Sequence, residues 1–151
     1  MAEGIMKDLV LDEFNSNHNV VSIEITSAGT HAFFGNTASE NAVKVLESKG
    51  INLLFHRSKP ISDNLVRKAD LILTMEKSHT EYIKSIWPFF DSVQELKRYG
   101  LKESEIPIST EIMDPIGMGL EIYMEVFTEL QREIKRIAPL VFSLAGKKSG
   151  N

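Results

Sequence analysis

The longest regular pattern of apolar positions lies near the end of the sequence. Leu120, Tyr123, Met124, Phe127, Leu130, Ile134 and Ile137 recur every three or four residues, so they would line one face of a helix. Pro139 has no amide proton and should break that helix. A second pattern of the same period opens the chain: Ala2, Ile5, Met6, Leu9 and Val10 predict a helix over residues 2–15, ended by the polar run Asn15-Ser16-Asn17-His18-Asn19. Thr37 and Glu40 have the spacing of a capping box, and they open a predicted helix through Ala38, Ala42, Val45 and Leu46 that Gly50 should stop.

Strand signals alternate with these helices. Val20-Val21-Ser22-Ile23-Glu24-Ile25 is rich in β-branched residues and predicts a strand running into Ser27-Ala28-Gly29-Thr30. Residues 51–61 read as a connecting segment with a short extended portion, after which Ser62 caps a short helix near Asp63 to Lys68. The apolar run Asp70-Leu71-Ile72-Leu73-Thr74-Met75 is short and sharply bounded, as expected of a strand buried on both faces in a parallel sheet. A helix over Lys77 to Ile86 should end at Trp87-Pro88, and the alternating Ser92-Val93-Gln94-Glu95-Leu96-Lys97 predicts an edge strand. Residues 100–113 read as an irregular loop. The order implies an α/β domain with a parallel sheet, whose ligands would sit at the carboxyl ends of the strands.

Composition narrows the function classes. With 151 residues, 42% of them hydrophobic and 25% charged, the chain is expected to form one domain over residues 1–140 with a tail at 141–151. A net charge of -4, with basic residues scattered, argues against nucleic acid or an anionic membrane as partner. No apolar run approaches the roughly 18 residues of a membrane span, and no leader pattern is present, so a cytoplasmic location is expected. Cysteine is absent, which excludes disulfides, thiolate metal sites and a cysteine nucleophile among these residues.

The stretch with the most chemical content is Asp114-Pro115-Ile116-Gly117-Met118-Gly119. Pro115 biases Asp114 toward an extended backbone, while Gly117 and Gly119 allow a close turn before the last helix. Read locally, this is either an Asp-Pro turn ahead of a helix or a carboxyl held at the lip of a site, able to give a proton to a departing group. His31, His56 and His79 lack metal-ligand spacing, so neither a metal nor another cofactor is expected. Arg57, beside Ser58 and Lys59, reads as a solvated residue that fixes a loop, and Met118 and Met124 as packing. Tyr123 is the nearest aromatic that could wall a pocket.

Taken in order, Met1-Ala2-Glu3-Gly4, Ser27-Ala28-Gly29-Thr30, His56-Arg57-Ser58, Ala69-Asp70-Leu71-Ile72-Leu73-Thr74-Met75 and Asp114-Pro115 resemble the low-molecular-weight protein phosphatases, including the bacterial protein arginine phosphatases. The resemblance extends to about residue 140. It implies a three-layer parallel-sheet fold with helices on both faces. It also implies hydrolysis of phosphotyrosine or phosphoarginine in protein substrates, in which a thiolate takes the phosphoryl group as a cysteinyl-phosphate. Asp114 would protonate the leaving atom and then act as base toward water.

The family's pattern also includes a first strand and a loop of cysteine, five residues and arginine, directly ahead of a stretch like Met1-Ala2-Glu3-Gly4. That loop, which carries the nucleophile and the phosphate cradle, is not in this sequence. The expectation is an N-terminally truncated, inactive chain, with a vacant central strand position between the strands at 20–26 and 70–75 and self-association through the exposed sheet edges. The alternative is a non-catalytic phosphatase-like binding protein, holding a partner or an anion at the start of its first helix. The aromatic residue that phosphotyrosine enzymes of the family carry after Asp-Pro is replaced by Ile116; Gly117 matches the pattern of arginine phosphatases, a lean toward phosphoarginine.

Overall fold

The structure is a computed structural model that describes residues 1–16 and 22–149. The chain divides into two compact units.

One unit contains Met1–Ser27, Ala38–His56 and Pro115–Asn151. Its helices are α1 (Ala2–Ser16), α2 (Glu40–Glu47) and α5 (Leu120–Ser149), and both α1 and α2 pack on α5. Gly4 of α1 sits so close to Leu46, Ile51 and Leu53 that a Cβ there would lie 2.9 Å from Leu46 Cδ2. That contact lets Ile5 and Met6 reach the core, where they are buried. The buried stripe of α5 runs through Tyr123, Phe127, Leu130, Ile134 and Ile137, as the periodicity predicts, and adds Val126. Leu120 and Met124, expected on the same face, are instead 43% and 49% exposed.

Two helix boundaries differ from expectation. The cap of α2 is Ser39, not Thr37: Ser39 is extended, at φ -61 and ψ 150, and its hydroxyl accepts from the Ala42 amide at 3.4 Å. Pro139 does not end α5, which continues through it to Ser149. The proline ring is exposed while Ala138 and Val141 beside it are buried, so packing on both sides carries the helix past the missing hydrogen bond. Gly50 stops α2 as expected, at φ +79 with open space around it.

The other unit contains Ala28–Thr37 and Arg57–Asp114. Here β1 (Ile72–Thr74), α4 (Lys77–Ile86) and β2 (Val93–Glu95) form a βαβ unit with parallel strands, pairing Ile72 with Val93 and Thr74 with Glu95. Short α3 (Asp63–Lys68) precedes it, and the Ser62 hydroxyl caps α3 by accepting from the Leu65 amide at 3.4 Å. Val66, Ile83, Trp87 and Val93 are the core of this unit. β1 is shorter than its apolar run and only Thr74 in it is buried, so it is not the doubly covered strand expected. The loop after β2 contains a 3-10 turn at Glu103–Glu105.

The strand expected at 20–26 does not form over the described residues 22–26, which join no ladder, while residues 20 and 21 lie outside the described part. Pairing begins only at an isolated bridge between Gly29 and Pro60. Among the described residues no helix is long and apolar enough to cross a membrane.

Candidate active site

Asp114 is held at the carboxyl end of β1. The amide of Ile112 donates to the carbonyl of Met75, the residue after β1, at 2.8 Å. Ile112 is buried, so the loop is anchored by its side chain as well as its backbone, and Asp114, just beyond it, is exposed. A loop that returns to the carboxyl end of a parallel strand places its polar groups where α/β sheets bind ligands.

Beyond Asp114 the backbone forms a rigid turn. The Met118 amide donates to the Pro115 carbonyl at 2.9 Å, and Gly117 has φ +78, the sign a type II turn requires at its third residue. A Cβ at Gly117 would meet nothing within 4 Å, so the backbone sign alone asks for glycine. Asn41 Nδ2 donates to the Met118 carbonyl at 3.1 Å and ties the turn to α2. Ile116, Met118 and Met124 are exposed rather than packed. Tyr123 is only 4% exposed, and its phenol oxygen accepts from the Ser39 hydroxyl at 3.0 Å, so it braces the unit instead of walling a pocket.

A second polar cluster surrounds Glu3, in the first turn of α1. Its carboxylate accepts from Lys7 Nζ and from Ser27 Oγ, and lies 3.5 Å from His56 Nδ1. Burial pushes this carboxyl upward, but the bonds from Lys7 and Ser27, with the nearby charges of Lys7 and His56, outweigh it and hold the carboxyl below its ordinary value. His31 lies elsewhere, with its Nδ1 3.0 Å from Thr30 Oγ1 and its ring tilted against Tyr82 at 6.3 Å. Ser58 clips the loop ahead of it: its amide donates to the Asn36 carbonyl at 2.8 Å and its carbonyl accepts from the Gly35 amide at 2.8 Å. Its hydroxyl donates to the Phe33 carbonyl. Ser58 thus fixes the loop directly beside Arg57.

The sequence profile described as "Low molecular weight phosphotyrosine protein phosphatase" matches residues 1–148. The chain belongs to this family. It is 28% identical over 138 residues to the protein-arginine-phosphatase of Bacillus subtilis (strain 168), which covers 91% of this chain and 85% of the relative. Among solved structures it is similar to the YwlE arginine phosphatase in a mutant with a phosphorylated active site serine. The TM-score is 0.81 at 29% identity, over 93% of this chain and 86% of that one. It is also similar to the tyrosine phosphatase Wzb from Escherichia coli K30 in complex with sulphate, with a TM-score of 0.75 at 30% identity over 93% and 87% of the two chains.

Folded as a low molecular weight phosphatase, the chain brings together three of the stretches that carry the resemblance. Glu3, Ser27 and His56 come from Met1-Ala2-Glu3-Gly4, Ser27-Ala28-Gly29-Thr30 and His56-Arg57-Ser58, and they meet in one hydrogen-bonded cluster. Within α1 only Glu3 and Lys7 stand at the four-residue spacing of a helical ion pair with each other. Nothing local could show that residues so far apart in sequence converge on one carboxylate.

Proposed function

We propose that this chain carries the acid of a phosphatase acting on phosphorylated side chains of proteins. Asp114 gives its proton to the atom leaving phosphorus and later takes one from the water that releases phosphate. A thiolate that these 151 residues do not contain forms the bond to phosphorus as the substrate atom departs, and is itself expelled when water attacks phosphorus. The observation that carries this reading is the Ile112 to Met75 hydrogen bond, which fixes an exposed Asp114 at the carboxyl end of β1. The similarity to both arginine and tyrosine phosphatases supports the substrate class. The exposed Ile116 offers no ring for stacking on a phenyl group, which favours phosphoarginine.

With no thiolate, the chain on its own should not hydrolyse phosphate. The test is turnover of an aryl phosphate and of a phosphoarginine-bearing protein by the 151-residue chain and by a chimera that places a strand and cysteine-to-arginine loop of the family pattern ahead of Met1. Activity confined to the chimera supports the assignment. Turnover by the chain alone that vanished with Asp114→Asn would require another nucleophile. The absence of cysteine also favours a second reading, a non-catalytic phosphatase-like binding protein. A chimera that folds and stays inactive would support it.

A further inference from the structure

The turn after Pro115 and the first turns of α5 present apolar side chains to solvent. Ile116 is 73% exposed, Met118 44%, Leu120 43% and Met124 49%. Leu120 and Met124 are one helical turn apart and border the buried stripe of Tyr123, Phe127 and Leu130 without being covered by it. They share a shallow depression with Glu121, Glu125 and Thr128.

The display is fixed. Pro115 is buried, Met118 is bonded through its amide to Pro115 and through its carbonyl to Asn41, and Gly117 holds the turn at positive φ. Such a surface loses little backbone entropy when something binds, and methionines adapt to varied apolar partners. The charge around it is of one sign. Between Pro115 and Gln131 the sequence has Glu121, Glu125 and Glu129 and no lysine, arginine or histidine. Glu129 pairs with Arg132 at 3.8 Å, whereas among the described residues Glu121 and Glu125 have no cationic partner.

From this we propose that Leu120 and Met124, with Glu121 and Glu125 in the same depression and exposed Ile116 and Met118 on the turn before them, dock a peptide segment of a partner protein in which aliphatic side chains alternate with arginine or lysine. The aliphatic groups cover the exposed methionines and leucine, and the cations meet the two carboxylates. The acidic rim repels an anionic lipid surface. Docking needs no catalysis, so it stands or falls apart from the phosphatase assignment.

The test is fluorescence anisotropy of a labelled peptide of alternating leucine and arginine titrated with the full chain. Saturable binding is expected. Glu121→Gln with Glu125→Gln should weaken it roughly three- to tenfold, and Leu120→Ser with Met124→Ser about tenfold. All four positions are exposed, so circular dichroism should show unchanged helix content in both variants. The proposal is overturned if a leucine and glutamate peptide binds equally well, or if both double variants stay within about twofold of the original chain. It is also overturned if sedimentation shows that the same substitutions disperse a self-associated form, which would make a second copy the occupant.

Discussion

The hydroxyl of Ser39 donates to the phenol oxygen of Tyr123 at 3.0 Å while accepting from the Ala42 amide at 3.4 Å, so one oxygen both caps α2 and satisfies a buried ring of α5. Tyr123→Phe removes one partner of the first bond and should cost about 1 kcal/mol. Ser39→Ala removes the cap and leaves a buried phenol without its donor, and should cost about 2 kcal/mol. Urea midpoints of both single variants and the double variant would measure the coupling. If Ser39→Ala proves no more harmful than Tyr123→Phe, the shared role is wrong.

The Glu3 cluster should make stability depend on acid. Its carboxyl is held below the ordinary 4.5 once burial is outweighed by Lys7, Ser27 and His56. A carboxyl depressed in the folded state contributes fully above the unfolded value and loses that contribution as pH falls through the folded value. Stability should therefore fall on acidification below about pH 4.5, and Glu3→Gln should flatten that limb while lowering stability at neutral pH. Urea unfolding from about pH 3 to 7 decides it: parallel pH profiles for the two proteins would show that Glu3 is not the titrating group.

Two glycines should fail for different reasons. Gly117 has room for a methyl group but sits at φ +78, so Gly117→Ala should cost about 1 kcal/mol through the backbone alone. Gly117→Asn should recover part of that, because asparagine tolerates this region. Gly4 is helical, and alanine there gains helix propensity, yet its Cβ would lie 2.9 Å from Leu46 Cδ2 and 3.1 Å from both Ile51 Cγ2 and Leu53 Cδ2. Since Leu46 is fully buried, crowding should win, by about 1 kcal/mol net. Thermal midpoints of the three variants would check the ordering.

Pro139 should be a site of gain. Pro139→Ala restores an amide to the interior of α5 and removes a ring that crowds the preceding turn. We expect stabilisation of about 1 to 3 kcal/mol, read as a rise of several degrees in Tm. An unchanged or lower Tm would mean that the ring, which lines a depression with Leu9 and Phe142, stabilises α5 as much as the restored bond does.

Pro139 also marks the boundary of what neighbouring residues can dictate. The period of α5, the span of α4 and the cap at Ser62 were legible because each depends on residues close in sequence. The continuation past Pro139 was not, since it depends on buried Ala138 and Val141. Thr37 has capping-box spacing as good as any, but the cap goes to the residue whose oxygen can also reach Tyr123. The β-branched run after residue 19 has strand propensity, and its described part finds no ladder partner, which propensity cannot supply. Asp114 was legible as a proline-fixed carboxyl, whereas the bond from Ile112 to Met75 that locates it spans distant residues.

Asp114 itself gives the last prediction. In the chimera carrying the cysteine-to-arginine loop, a leaving group of high pKa cannot depart without a proton, so removing the acid should slow turnover by roughly 10² to 10⁴. An activated aryl phosphate leaves as a stable anion and should lose less. With phosphoarginine the carboxyl can also hold the guanidinium through paired hydrogen bonds, so Asp114→Asn should raise KM as well as lower kcat. Steady-state kinetics on a phenyl-type phosphate, an activated aryl phosphate and phosphoarginine separate these effects. If the substitution leaves all three rates within a factor of about three, it falls below any useful acid contribution. The loop anchored at Met75 would then be only the Asp-Pro turn that precedes α5.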